Sequence, residues 1–363
     1  MIALLKSSAQ VQRTLGLRHL AKSPDRTKLL REIYARFDSL EPGSKEYNDL
    51  GASGRCWYEY VDPGNMDKLG YKALGQKHSR MLDEIDKLRD AIKIKMPISK
   101  IAETLVPEYA YQSVIIENNP LKFFQSLTIA KALQADLFRR IQLGSLTASE
   151  LRSIELPAAS ELLPARDQSA VAEMRNHVVA SQWITETASR SPGTAGINED
   201  ELRSIAALML RGTASENLYT HGWGTKIKPG DYRQIPIQVK SNPLRIFPYA
   251  QEVPTLMQDF FAWHKAAHDQ QSLHPLLLAC HSMVYFLSIH PFIDGNGRAG
   301  RTFMHDYMVR QGYLPVVLQN LDRKDYIQMI SDSQDGKPEE FVEQVLFTQL
   351  EMMRMNLIKK FVG

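Results

Sequence analysis

His290 to Arg301 reads HPFIDGNGRAGR, directly after an apolar run from Leu276 to Ile289 (LLLACHSMVYFLSI). That run decides the fold class. Its 14 residues exceed the usual length of a strand, it is apolar on all sides as a buried helix is, and Ser272 and Pro275 supply start signals. The segment after it gathers a candidate general base (His290), a hard-cation ligand (Asp294), two glycines around an asparagine (Gly295, Asn296, Gly297) and two arginines (Arg298, Arg301). Glycines let backbone N–H groups approach an anion closely, and a helix N-terminus adds its positive end. Arginines at i and i+3 share a helix face, so both reach one phosphate chain. A nearby carboxylate can hold Mg²⁺, which arrives with substrate phosphates. From its residues alone, the stretch is a nucleotide-phosphate site with a histidine base at the rim.

The same letters admit a competing reading. Gly295–Gly300 (GNGRAG) satisfies G-x-G-x-x-G, Val284–Ile289 can pass as the preceding strand, and Asp322 follows at a suitable distance for a ribose contact. No alternating strand–helix series follows, so a dinucleotide-binding unit is the weaker alternative. A core histidine before an ordinary glycine turn is the bland one.

Position for position, His290–Arg301 resembles the signature of Fic-domain proteins, HPF-x-D/E-G-N-G-R-x-x-R. The resemblance implies an all-α, Fic-type helical domain with a small β-hairpin flap, and transfer of AMP from ATP to protein hydroxyls. It implies His290 as the catalytic base, Asp294 as the Mg²⁺ ligand, and ATP phosphates held by Gly295, Asn296, Gly297, Arg298 and Arg301. The phosphotransferring Doc branch carries Lys where this chain has Gly297, so glycine favours nucleotidyl transfer. Adenine contacts fall on Tyr326 and Gln334, while Phe292 reads as a packing anchor. The flap falls at about 233–248, with Ile237, Gln238 and Val239 offering backbone to an extended target segment. Ile235, Ile237 and Val239 alternate with Pro236, Gln238 and Lys240, the period of a short strand. Lys240-Ser241-Asn242-Pro243 replaces the family's more usual glycine–histidine stretch.

A second motif adds regulation. Ser113-Val-Ile-Ile-Glu117-Asn118 resembles the inhibitory motif of Fic proteins, (S/T)-x-x-x-E-(G/N), here placed N-terminal to the core on a helix at about 107–118. Alone it reads as a solvated helix end. Ahead of a complete Fic core, it implies that Glu117, with Ser113, competes with ATP for Arg301 through a charge-assisted carboxylate–guanidinium pair. Autoinhibited protein AMPylation follows, with deAMPylation as a second activity known in such proteins. The alternatives are a non-catalytic nucleotide-binding module and a Fic transferase using another nucleotide donor.

Composition bounds the rest. The net charge of +3 gives no basic stripe, so nucleic acid is not an expected partner. The two cysteines, Cys56 and Cys280, argue against a disulfide framework. No segment is long and apolar enough for a membrane helix or signal peptide, so no membrane is expected and cytoplasmic is the default location. Residues 1–95 read as an N-terminal helical region suited to target docking or homodimerisation, and 96–352 as the Fic domain. Helices are expected from Ser23 to Leu40, along Met81–Ile92, and over Phe123–Leu143, Asp167–Ser189 and Asn198–Leu210. The protein target is the expected partner, and its identity is not written in this chain.

Overall fold

The computed structural model describes residues 35–37, 39–58, 61–221, 227–235, 237, 239, 245, 247–316 and 322–358. Its longer helices are α1 (Ser79–Lys95), α2 (Ile98–Ile115), α3 (Phe123–Ala135), α4 (Gln168–Arg190), α5 (Glu199–Leu210), α6 (Val253–Asp269), α7 (Pro275–Ile289), α8 (Asn296–Arg310), α9 (Arg323–Gln334) and α10 (Glu339–Ile358). Among the described residues the only sheet-type pairing is an isolated bridge at Val239, so the all-α class holds. Of the flap residues, Gln238 lies outside the described residues, as do Leu29, Leu30 and Ile33 of the helix expected near the N-terminus.

Local chemistry sets the helix ends. The Asp167 carboxylate accepts from the Ala170 N–H at 2.7 Å to start α4. Asn198 and Glu201 cap each other's backbone at the start of α5, a reciprocal box that satisfies two orphan N–H groups. α7 begins with proline at its first position, and its cap is His274 rather than Ser272, the ring accepting from Leu276 N–H. Every residue from Leu276 to Ile289 is buried, which explains a run with no polar face. α6 and α8 both pack against α7, and α4 lies between α2 and α8.

Two expected boundaries move. The helix carrying the inhibitory motif starts at Ile98 rather than near 107, with Pro107 inside it. Proline breaks a bond in a helix interior, but α2 is wedged against α4 and α3, and Ser126 Oγ donates to the Pro107 carbonyl at 2.7 Å. The helix expected over Phe123–Leu143 stops at Ala135, and separate short turns follow at Leu137–Arg140 and Leu143–Ser145.

From Trp57 to Ile92, the buried apolar residues of the N-terminal part share the main core. Trp57, Tyr71, Leu82 and Ile85 pack in the same cluster as Phe260, Phe286 and Phe303. Tyr71 stacks on His281 of α7 at 4.1 Å between ring centroids, and the Tyr58 and Tyr285 hydroxyls bond at 2.9 Å. α1 packs along α10, while Phe37 and Cys56 form a smaller cluster of their own with Tyr47, Leu50 and Tyr249.

Candidate active site

α7 ends where His290 takes a left-handed backbone, φ 53° and ψ 61°. A non-glycine residue pays for that conformation, and the turn throws the half-buried ring toward a cleft of about 580 Å³. His290 Nδ1 faces the Leu287 carbonyl at 3.4 Å, so that nitrogen carries the hydrogen and Nε2 is left as the acceptor. Burial first, and the Arg233 charge second, push the ring down to about 4. The base is therefore neutral well below the range of an ordinary histidine.

Phe292 is fully buried between Phe286 and Tyr232, an apolar anchor beneath the loop. Gly295, at φ +83°, is the N-cap of α8. Asn296 is buried, and its side chain spans the turn: Oδ1 accepts from Phe292 N–H at 2.9 Å and Nδ2 donates to Phe292 O at 2.8 Å. Its amide therefore holds the loop's shape instead of reaching a phosphate. What faces an anion is the first turn of α8, with its unbonded N–H groups and positive dipole end.

A Cβ added at Gly297 would stand 2.6 Å from Glu117 Oε1, so the room that the glycine leaves is filled by a carboxylate. Arg301 Nη2 donates to the same Glu117 oxygen at 2.8 Å and to the Ser113 carbonyl at 2.8 Å, while Nε donates to Ser113 Oγ at 2.8 Å. Burial alone would depress Arg301, but Tyr326 and Glu117 outweigh it and hold the guanidinium above its ordinary value. The motif's last letter has a backbone cause. Asn118 sits at φ +67°, its N–H bonds to Ile115 O, and Asn119 N–H reaches back to Val114 O. This is the Schellman ending of a helix, whose left-handed position takes Gly or Asn. Glu117 thus rides on the final turn of α2, and Arg323 of α9 braces that turn by donating to Ile116 O at 2.6 Å.

Arg298 does not share Arg301's partners. Its Nη1 donates to Glu173 of α4 at 2.5 Å and its Nη2 to Asp294 at 3.3 Å. Glu173 in turn accepts from Asn119 Nδ2 at 2.8 Å, and burial raises its carboxyl above the ordinary value against the pull of Arg298. Asp294 is the reverse case: burial would raise it, but Arg298 and hydrogen bonding hold it below. Its side chain remains 39% exposed on the cleft wall.

The cleft thus gathers Glu117, His290, Asp294, Gly295, Asn296, Gly297, Arg301, Tyr326, Gln334 and Val239 along its walls. Arg298 and Ser113 sit behind that wall, and Ile237 does not line it. α9 adds Ile327 and Ile330 to Tyr326 and Gln334, a face at three- and four-residue spacing that the helical period of the sequence contains. Tyr326 itself is buried, its ring centroid 5.6 Å from the Arg301 guanidinium. Glu173 and Arg323 went unrecognised in the sequence. Among the described residues no group of three or more His, Cys, Asp or Glu side chains converges on a metal position.

The N-terminus of α8, His290 and Arg301 meet at one cleft of a helical domain. Residues 196–308 match the Fic/DOC family. Over 116 residues it is 33% identical to the protein adenylyltransferase Fic of Drosophila persimilis, covering 32% of this chain and 22% of that protein. The Drosophila melanogaster relative of the same name is 32% identical over 116 residues, 32% of this chain and 23% of its own length. The chain thus matches under a quarter of the length of these curated relatives. In fold it resembles a solved Fic-1 fragment from C. elegans, with a TM-score of 0.56, 18% identity and coverage of 98% of this chain and 99% of that one. A Fic domain containing signaling protein from Bacteroides thetaiotaomicron superposes with a TM-score of 0.55 at 19% identity, over 76% of this chain and 95% of that one. No helix among the described residues is long and apolar enough to cross a membrane.

Proposed function

We propose that this chain is a protein adenylyltransferase that moves AMP from ATP to a Ser, Thr or Tyr hydroxyl of a target protein and is held in check by Glu117. One observation carries the reading. A carboxylate occupies the anion seat between Gly297 and Arg301, in the same cleft as a histidine whose Nε2 is free to accept a proton. The fruit-fly relatives bear the name of this activity.

In the reaction, the target oxygen attacks the α-phosphorus while its proton passes to His290 Nε2. The bond from the α-phosphorus to the bridging oxygen breaks, and pyrophosphate leaves. The first turn of α8 stabilises charge on the phosphates, and Arg301 takes the γ end once Glu117 withdraws. An exposed, ionised Asp294 fits Mg²⁺, which binds through one or two carboxylates together with phosphates. When bound there, Mg²⁺ neutralises charge on the phosphates. The apolar and amide face of α9 suits a purine, with Ile327, Ile330 and Gln334 on the wall. Removal of AMP from a modified target is the second activity that the same seat supports, with Glu117 orienting the attacking water.

The test uses ATP labelled separately at the α and γ positions, with wild-type protein and with Glu117→Gly. Protein-bound label from α-labelled ATP alone is the expected result. Protein-bound γ label means kinase-like chemistry, and no label from either in Glu117→Gly means a nucleotide-binding module without transfer.

A further inference from the structure

Arg233 is a fully buried side chain, 1% exposed, whose hydrogen-bond partners are backbone carbonyls. Its Nε donates to His290 O at 2.9 Å, Nη1 to Ile235 O at 3.2 Å, and Nη2 to Pro248 O at 2.7 Å and Ile289 O at 3.5 Å. Its own backbone N–H donates to Pro291 O at 2.8 Å. One guanidinium therefore joins the beginning and the end of the 233–248 stretch to the left-handed turn that presents His290. A buried cation is costly, and an apolar side chain of similar size is often no worse for stability. Burial lowers Arg233 only to about 9, with the Glu252 charge opposing, so the cation persists at neutral pH. The planar fork matters as well as the charge, because a lysine ammonium cannot span carbonyls on two segments in the same way.

We propose that Arg233 is a positioning residue for transfer, locking the strained turn of His290 to the backbone at Ile235 and Pro248, next to Phe247 on the cleft wall. The inference rests on the adenylyltransferase reading. The base is thereby held in place relative to these two backbone points and keeps its distance from the incoming hydroxyl. Misplacing a reacting group by about 1 Å costs on the order of 10²-fold in rate.

The experiment compares Arg233→Met and Arg233→Lys in a Glu117→Gly background. It measures self-modification from α-labelled ATP, ATP affinity by calorimetry, and the pH profile of turnover. Both variants should bind ATP as the parent does and lose about 10²-fold in turnover. The acid limb of turnover should move toward neutral in Arg233→Met, where the neighbouring cation is gone, and stay nearly in place in Arg233→Lys. A brace with only a structural role would lower ATP affinity and the folded fraction together with turnover, whereas a positioning role lowers turnover alone. Should Arg233→Met fail to fold, Arg233→Lys decides by itself. Parental turnover in either folded variant overturns the proposal while leaving the adenylyltransferase reading intact. A Glu117→Gly parent that transfers no α label defeats the reading itself and this proposal with it.

Discussion

Glu117 Oε1 lies 2.8 Å from Arg301 Nη2 and 2.6 Å from where a Cβ would stand at Gly297, so one carboxylate fills both halves of an anion seat. The glutamate is 32% exposed while the arginine is 6%, so the pair has a wet side from which it can be opened. A partly exposed pair of this kind is weak enough for a nucleotide to displace.

Glu117→Gly removes the competitor without touching the base or α8. Self-modification from α-labelled ATP should rise at least about tenfold, equivalent to ~1.4 kcal/mol of relieved competition. Any removal of AMP from a modified target should fall in the same variant, since its water loses a carboxylate. If neither rate moves, the pair is a helix-end contact without regulatory weight.

Asn118 offers a finer control on the same device. Its φ of +67° suits Gly, which has no Cβ, and Asn, whose short polar side chain hydrogen-bonds locally, whereas Ala costs about 1–2 kcal/mol there. Asn118→Ala should loosen the turn that carries Glu117 and raise basal self-modification by about fivefold, the ratio that 1 kcal/mol sets. Asn118→Gly should leave the basal rate where it is. Equal rates for the two variants would separate the turn's geometry from inhibition.

Acid pH tests the base. Transfer requires neutral His290, and its ring is pushed down to about 4 from the ordinary ~6.5. Turnover of Glu117→Gly should therefore stay flat from about pH 8 to about pH 5, where an ordinary histidine would already have lost most of its activity. The sign for stability runs the other way. Buried His264 and His281 are also lowered to about 4 and His305 to about 3, so the unfolded chain takes up protons first as pH falls below ~6.5. Thermal melting temperature should drop over that window even while turnover per folded molecule holds. An acid limb centred near 6.5 would count against His290 as the base.

Local signals made much of this legible. The run from Leu276 to Ile289 had no polar side to show solvent, and it is buried at every position. The six residues SVIIEN spelled a helix end because Asn118 tolerates a left-handed backbone. Long-range closures were another matter. Glu173 meets Arg298 across 125 residues of chain, and no neighbouring letter marks it. Asn296 was read toward phosphate, since an amide can serve either role, but the turn is tight enough that Phe292's backbone takes both of its ends. Pro107 looked like a helix start and lies inside α2, because packing against α4 overrides the local penalty.

Gly297→Ala separates the two occupants of the seat. In wild-type protein the new methyl meets Glu117 Oε1 at 2.6 Å and Arg301 Nη1 at 3.2 Å, so the carboxylate must retreat. Relief of inhibition would follow if the seat mattered only to Glu117. The methyl, however, stands where a phosphate has to approach the first turn of α8, and overpacking of this kind costs about 1–3 kcal/mol. Gly297→Ala should therefore stay inactive by itself. In a Glu117→Gly background, it should lower transfer by about tenfold or more, with a matching loss of ATP affinity. Calorimetric ATP binding alongside α-label transfer checks both halves. A Gly297→Ala protein as active as Glu117→Gly would show that phosphates do not use this seat, and the site would have to be redrawn around Asp294 and Arg298.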